Sequence, residues 1–250
     1  NTSNALRAYE ISTCATERTG SAAYLDTAPS SSPVGRQYPN PSGDNPCPTA
    51  KMLPLSDDLE GIEDIIGDPS RPKVGLQAKG YTAAQIGLAW GWYAVSPNFN
   101  ALWQERPAAQ YDANRTMKAV ILMTDGEFNT PYCNGVVAGA VSGSGDVNQH
   151  IGCSQYTGSN LRNQPVGQYS NPFARSVEMC NRMKAAGVIV YTVGFDINSG
   201  TGGAGVDTAK EVMQQCATNS DHVYLPENGA SLKSAFGAIG RSISQLRITR

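Results

Sequence analysis

KAVILMTDGEFNT, residues Lys118 to Thr130, drives a run of buried-type residues into Thr124, Asp125 and Gly126. The unbroken apolar run AVILMT is expected of a strand covered on both faces of a parallel sheet. Its abrupt end has two explanations: a strand-end turn, or an oxygen-donor site for a cation at the edge of a sheet. The remainder of the chain bears on that choice.

Downstream, strand and helix patterns alternate. PFARSVEMCNRMKAAG reads as a helix with Phe173, Val177, Cys180 and Met183 on one side, stopped by Gly187. VIVYTVGF is a second buried strand and HVYLP a short third one. DTAKEVMQQCA opens with Thr208 and Glu211 in capping-box spacing. SLKSAFGAIGRSISQL carries Leu232, Phe236, Ile239, Ile243 and Leu246 at helical spacing. The alternation predicts an α/β fold with a mostly parallel sheet, and right-handed crossovers set the loops after each strand along one edge. Asp125 and Asp196 fall at that edge, as does the loop with Cys133 and Cys153.

Upstream, GYTAAQIGLAWGWYAVSP predicts a buried helix ended by Pro97, with Trp90, Trp92 and Trp103 as packing aromatics. LSDDLEGIEDIIG predicts a short helix with Ser56 as N-cap, Asp57 and Asp58 at its positive end, and Gly67 as its stop. Leu59, Ile62 and Ile66 give it one apolar face. Residues 1–54 are rich in turn formers and read as a loop-rich segment. The α/β core then covers residues 55–250, with a loop insertion over 131–171.

The chain has 250 residues, 40% hydrophobic and 16% charged, with 26 Gly and 15 Pro, which marks a loop-rich globular protein. A net charge of −2 without a dense basic cluster gives nucleic-acid binding no electrostatic support. No apolar run approaches the ~20 residues of a membrane helix. The six cysteines, Cys14, Cys47, Cys133, Cys153, Cys180 and Cys216, contain no C-x-x-C pair, and only two histidines accompany them. Zinc is therefore not expected, and disulfides in an oxidising compartment are. Buried free thiols are the alternative. A bond closing the Cys14–Cys47 loop would contribute on the order of 3–4 kcal/mol. Cys180 and Cys216 can pair only if their helices lie side by side, because a disulfide needs Cα atoms within ~7 Å.

Carboxylates and hydroxyls at a sheet edge suit Mg²⁺, Mn²⁺ or Ca²⁺. Asp125 supplies charge, Gly126 is expected to ease the turn, and Thr82, just before a helix, is the best-placed hydroxyl. Thr124, Glu127 and Asp196 are supporting candidates at the same edge. His150 and His222 form no recognisable catalytic constellation with Ser, Cys or Asp, so no catalytic residue is assigned and the chain is not expected to be an enzyme.

AVILMTDGEFN is similar to the fourth strand of von Willebrand factor A (VWA) domains, and GYTAAQIGLAWGWYAVSP resembles their threonine-bearing segment. Together with LMTDGEFNTPYCNG and MCNRMKAAGVIVYTVGFD, the chain looks most like the VWA region of TadG-type proteins of bacterial tight-adherence (Tad) pilus systems. The match covers about residues 74–250, with the Cys14–Cys47 region as a variable insert. The resemblance implies a Rossmann-like VWA fold with helices on both faces and a metal-ion-dependent adhesion site using Thr82 and Asp125. It implies a non-catalytic adhesion or pilus-assembly module of the cell envelope, periplasmic or extracellular, that binds a pilus component, envelope protein or surface ligand. The D-x-S-x-S loop of that site is absent: DTAPSSS, Asp26 to Ser32, has the wrong spacing. The first strand, metal loop and membrane anchor are accordingly expected to precede Asn1, making this one VWA-type domain incomplete at its N-terminus. That leaves a slot in the sheet for the missing segment or another chain, and metal occupancy is not expected without it. A purely structural surface domain with an inactive site is the alternative.

Overall fold

The computed structural model describes residues 15, 18, 20–34, 50–67, 75–77, 82–126, 128, 172–197 and 208–248. Cys14, Cys47, Cys133, Cys153, Glu127 and His150 lie outside them. Among the described residues the fold is α/β: strands β1 (Lys118–Thr124), β2 (Val188–Gly194) and β3 (Val223–Tyr224) form one open parallel sheet in the order β1-β2-β3. Helices α2 (Ala84–Val95), α3 (Pro172–Ala185) and α4 (Thr208–Cys216) supply one face, and α5 (Gly229–Ile248) supplies the other.

The register runs from Lys118↔Val188 to Thr124↔Gly194. Alternation then sends Val120 and Leu122 into the larger core with Leu88, Trp92, Met179 and Met213. The opposite face holds Tyr191, Val193 and Ile239, with Ala119 and Ile189 packed beside them. Helix α2 is apolar nearly all round because it lies inside the molecule; Leu88, Ala89, Trp92 and Tyr93 are each at most 2% exposed. Its Gly91 is where helix and strand come close, since a Cβ there would stand 3.4 Å from Val120 Cγ1. Gly187, at φ 80°, makes the left-handed turn from α3 into β2.

Helices α3 and α4 lie side by side on the sheet. Cys180 and Cys216 form a disulfide across them with a Cα–Cα distance of 5.0 Å, as that packing requires. Lys184 Nζ on α3 donates to the Gln215 carbonyl of α4 at 2.7 Å, joining the same two helices, and Thr192 Oγ1 of β2 donates to the Met213 carbonyl at 2.9 Å, fixing α4 on the sheet.

Three local expectations change. Helix α1 (Leu59–Ile66) is capped by Asp58, whose Oδ1 accepts from Gly61 N at 3.0 Å, while Ser56 Oγ instead accepts from Asp58 N. Its apolar side is uncovered, with Leu59 71% and Ile66 59% exposed. On α5, Phe236 turns outward at 40% exposure although its spacing matches Leu232 and Ile239.

Arg18 and residues 20–34 are fastened to the core. Ala23 is fully buried, and Arg175 Nη2 on α3 donates to the carbonyls of Arg18 (3.0 Å) and Ala23 (3.3 Å). The Arg18 guanidinium carbon is 4.9 and 4.8 Å from the Tyr93 and Phe99 ring centres, and those rings are stacked 4.0 Å apart. A cation equidistant from two rings so stacked sits beside the pair and cannot cover both faces. Burial pulls the Arg18 pKa down.

Candidate functional site

The loops after the parallel strands are stitched together at the carboxyl end of the sheet. Thr124 O accepts from Phe195 N at 2.8 Å, and Pro226 O accepts from Asp196 N at 2.9 Å. Asp125 and Asp196 therefore emerge side by side in topology, just past the last paired residues, Thr124 and Gly194. Asp196 holds a left-handed backbone at φ 53°, a conformation Asp tolerates better than most side chains.

Thr82 reaches the same end by a different route. Lys118 Nζ, at the start of β1, donates to the carbonyl of Val95, the last residue of α2, at 2.7 Å. Helix α2 thus runs antiparallel to β1. Its 12 residues span about 18 Å, and the 7 residues of β1 span about 23 Å. The N-terminal end of α2, where Thr82 precedes Ala84, accordingly lies towards the Asp125 end of the strand. Thr82 is not the helix cap; Ala83 is, without a side-chain cap bond.

Thr124 and Gly126 have local duties. Thr124 Oγ1 donates to Gly126 O at 2.9 Å and accepts from Gly126 N at 3.3 Å, a hydroxyl-closed turn. Gly126 has no positive φ, and a Cβ there would meet nothing within 4 Å among the described residues. The turn therefore does not depend on glycine, contrary to the sequence expectation; the threonine makes it.

This donor set does not fit a complete cation site. Thr124 Oγ1 is committed to the turn, and no group of three or more His, Cys, Asp or Glu side chains converges among the described residues. Thr82, Asp125 and Asp196 provide a few oxygens, where Mg²⁺ takes an octahedral set and Ca²⁺ about 6–8 ligands.

Sequence reading missed Asp26, a polar residue with three hydrogen-bond partners. Asp26 lies in the turn-rich DTAPSSS stretch, yet its Oδ2 accepts from Ser96 Oγ at 2.5 Å, Tyr111 OH at 2.6 Å and Asn98 Nδ2 at 3.1 Å. Trp92 Nε1 donates in turn to Tyr111 OH at 3.0 Å. Burial and the Asp26 carboxylate push the Tyr111 pKa well above its usual value, so it stays a neutral donor. This cluster clamps residues 20–34 to the end of α2. No local signal could mark it, because its partners lie 70, 72 and 85 residues away in sequence.

The opposite border of the sheet carries a groove of about 380 Å³ between β3 and α5, lined by Tyr224, Leu225, Ser234 and Ala238 among others. Nearby, His222 packs its ring against Tyr191, with centres 4.2 Å apart, and burial lowers its pKa. Tyr191 OH is bonded to Ser242 Oγ at 2.9 Å.

No family model matches the chain, and no characterised protein matches it in sequence. Among solved structures, it is similar to the pilus adhesin SpaC from Lactobacillus rhamnosus GG, with 17% identity and a TM-score of 0.42 over 66% of this chain and 19% of that one. The open conformation of the same adhesin gives 19% identity and a TM-score of 0.35 over 66% of this chain and 20% of that one. The chain thus spans about a fifth of the adhesin's length.

Proposed function

We propose that the chain is a non-catalytic protein–protein interaction or adhesion module of the bacterial cell envelope, of VWA type, serving Tad-type pilus assembly or surface adhesion. The observation that supports this reading is that Asp125 and Asp196 directly follow β1 and β2 at the carboxyl end of a parallel sheet, where α/β folds present their ligand-binding loops. The exposed Asp125 is available to a partner such as a pilus component, envelope protein or surface ligand. The Cys180–Cys216 bond supports a periplasmic or extracellular setting.

The open space at Gly126 accepts a photo-crosslinking side chain without disturbing the turn. Installed there in the bacterial envelope, it is expected to give an adduct with an identified pilus or envelope protein, and Asp125→Ala is expected to abolish that adduct. Absence of any adduct, or hydrolytic turnover that depends on Asp125, overturns the proposal.

A second reading is a structural surface domain with an inactive metal site, supported by the commitment of Thr124 Oγ1 to its own turn. Calorimetric titration with Mg²⁺, Mn²⁺ and Ca²⁺ separates the two forms. The structural reading expects no heat, whereas a heat lost in Asp125→Ala requires a cation at this edge, with further donors from beyond the described residues.

A further inference from the structure

We infer that Asn114 is an N-glycosylation acceptor, taken by an oligosaccharyltransferase that reads an acid, an asparagine and a threonine at alternate positions. The stretch is Asp112-Ala113-Asn114-Arg115-Thr116. Asn-x-Ser/Thr with a middle residue other than proline is the basic acceptor pattern, and it belongs on the surface of an exported protein. Bacterial transferases of this kind also require Asp or Glu two places before the asparagine, where Asp112 stands. Asn40-Pro41-Ser42 is barred by its proline, and Asn1-Thr2-Ser3 lies outside the described residues.

The fold presents this stretch as a short arch with both feet fixed. Tyr111 donates to Asp26 on one side, and on the other Lys118 Nζ donates to the carbonyls of Val95 and Ala109 at 2.7 and 2.6 Å. Between those anchors Ala113, Asn114 and Arg115 form an exposed turn. Its backbone is held by Asp112: Asn114 N donates to Asp112 Oδ1 at 3.0 Å, and Arg115 N and Thr116 N donate to Asp112 O at 3.1 and 2.8 Å. The two groups a transferase must engage are uncommitted. Neither the Asn114 carboxamide nor the Thr116 hydroxyl makes a hydrogen bond among the described residues. The Asp112 carboxylate meets Arg115 at 3.8 Å, with 43% and 87% of the two side chains exposed, so this pairing is readily exchanged for a basic group of an enzyme.

Given the periplasmic or extracellular setting proposed above, on which this inference rests, the donor is a lipid-linked oligosaccharide diphosphate. Asn114 Nδ2 forms the new bond to the anomeric carbon of the saccharide. The bond from that carbon to the diphosphate oxygen breaks, the lipid diphosphate leaves with the electron pair, and one amide proton passes to a base of the transferase. The turn precedes the amino end of β1, whose 7 residues put about 23 Å of strand between it and Asp125. A glycan here therefore covers the turn and leaves the carboxyl-end loops open to a partner.

The test is mass spectrometry of the protein isolated from the envelope of its native host, with free thiols alkylated at lysis. The expected result is a peptide spanning residues 112–117 with a saccharide on Asn114, accompanied by peptides joined through Cys180 and Cys216. Asn114→Gln and Thr116→Val are each expected to abolish the modification, and Thr116→Ser to retain it. Asp112→Asn keeps an oxygen to accept from Asn114 N, so the turn survives, and is expected to lose most of the modification. Circular dichroism is expected to be unchanged in all four variants. An unmodified Asn114 in protein whose Cys180–Cys216 bond has formed overturns the inference and leaves the setting intact. A saccharide on Thr116, or an occupancy that Asp112→Asn leaves untouched, also overturns it. Alkylated Cys180 and Cys216 overturn the oxidising setting itself, and the inference with it.

Discussion

Replacing both Cys180 and Cys216 with alanine tests the packing of α3 on α4 and its energetic weight. The bond spans 36 residues, and the chain-entropy relation for a loop of that length gives about 4 kcal/mol of stabilisation at room temperature. Both sulfurs are fully buried, so their removal also costs on the order of 1 kcal/mol in lost packing. The double variant is therefore expected to be less stable than the parent by roughly 5 kcal/mol, or about 10 °C in Tm for a chain of this size. Urea unfolding followed by tryptophan fluorescence reads the difference, since Trp90, Trp92 and Trp103 pack against the main core or lie within it. Repeating it in reductant isolates the cross-link, because reduction removes every disulfide from both proteins and leaves only the packing difference, about 1 kcal/mol. A gap no larger in oxidising than in reducing buffer refutes the reasoning.

Asp26→Asn removes the charged acceptor shared by Ser96, Asn98 and Tyr111, and is expected to cost about 2–4 kcal/mol in chemical denaturation. Asp26→Asn combined with Tyr111→Phe is expected to cost less than the sum of the single changes, because both act on one network. Gly126→Ala is expected to change stability by no more than about 0.5 kcal/mol, as its Cβ meets open space. Asp58→Ala loses the α1 cap and is expected to cost about 1 kcal/mol of local helix stability, read by hydrogen exchange at Gly61 and its neighbours. His222 has its folded pKa below its unfolded value because burial disfavours the cation. The unfolded state therefore binds the extra proton first, and the contribution is full above the unfolded pKa of about 6.5 and lost as pH falls through the folded one. Melting profiles against pH are expected to flatten on that acid limb in His222→Gln.

Much of the sheet was legible because its signals are local. AVILMT and VIVYTVGF are too apolar and too short for anything but buried strands, and they occupy Lys118–Thr124 and Val188–Gly194. Gly187 and Gly67 stop their helices where a left-handed or otherwise positive φ is needed. The candidate site was legible only as positions. Parallel topology sends Asp125 and Asp196 to one end, but the count of donors there depends on side-chain partners, and Thr124 Oγ1 turns back to its own loop. Periodicity placed Phe236, Leu59 and Ile66 on inward faces, yet a face is buried only when another element arrives to cover it.

By itself, then, the sequence determined the order of strands and helices, their parallel connection and the helices that carry Cys180 and Cys216. These follow from side-chain period, turn residues and crossover handedness, which act within a few residues or through chain connectivity. Tertiary structure alone decided that Asp26 clamps the turn-rich N-terminal segment to α2, that Thr124 rather than Gly126 makes the turn after β1, and that Ile121 and Met123 stay uncovered. Those outcomes depend on which distant surfaces meet, and a hydrogen bond spanning 85 residues leaves no trace in the local pattern around either partner.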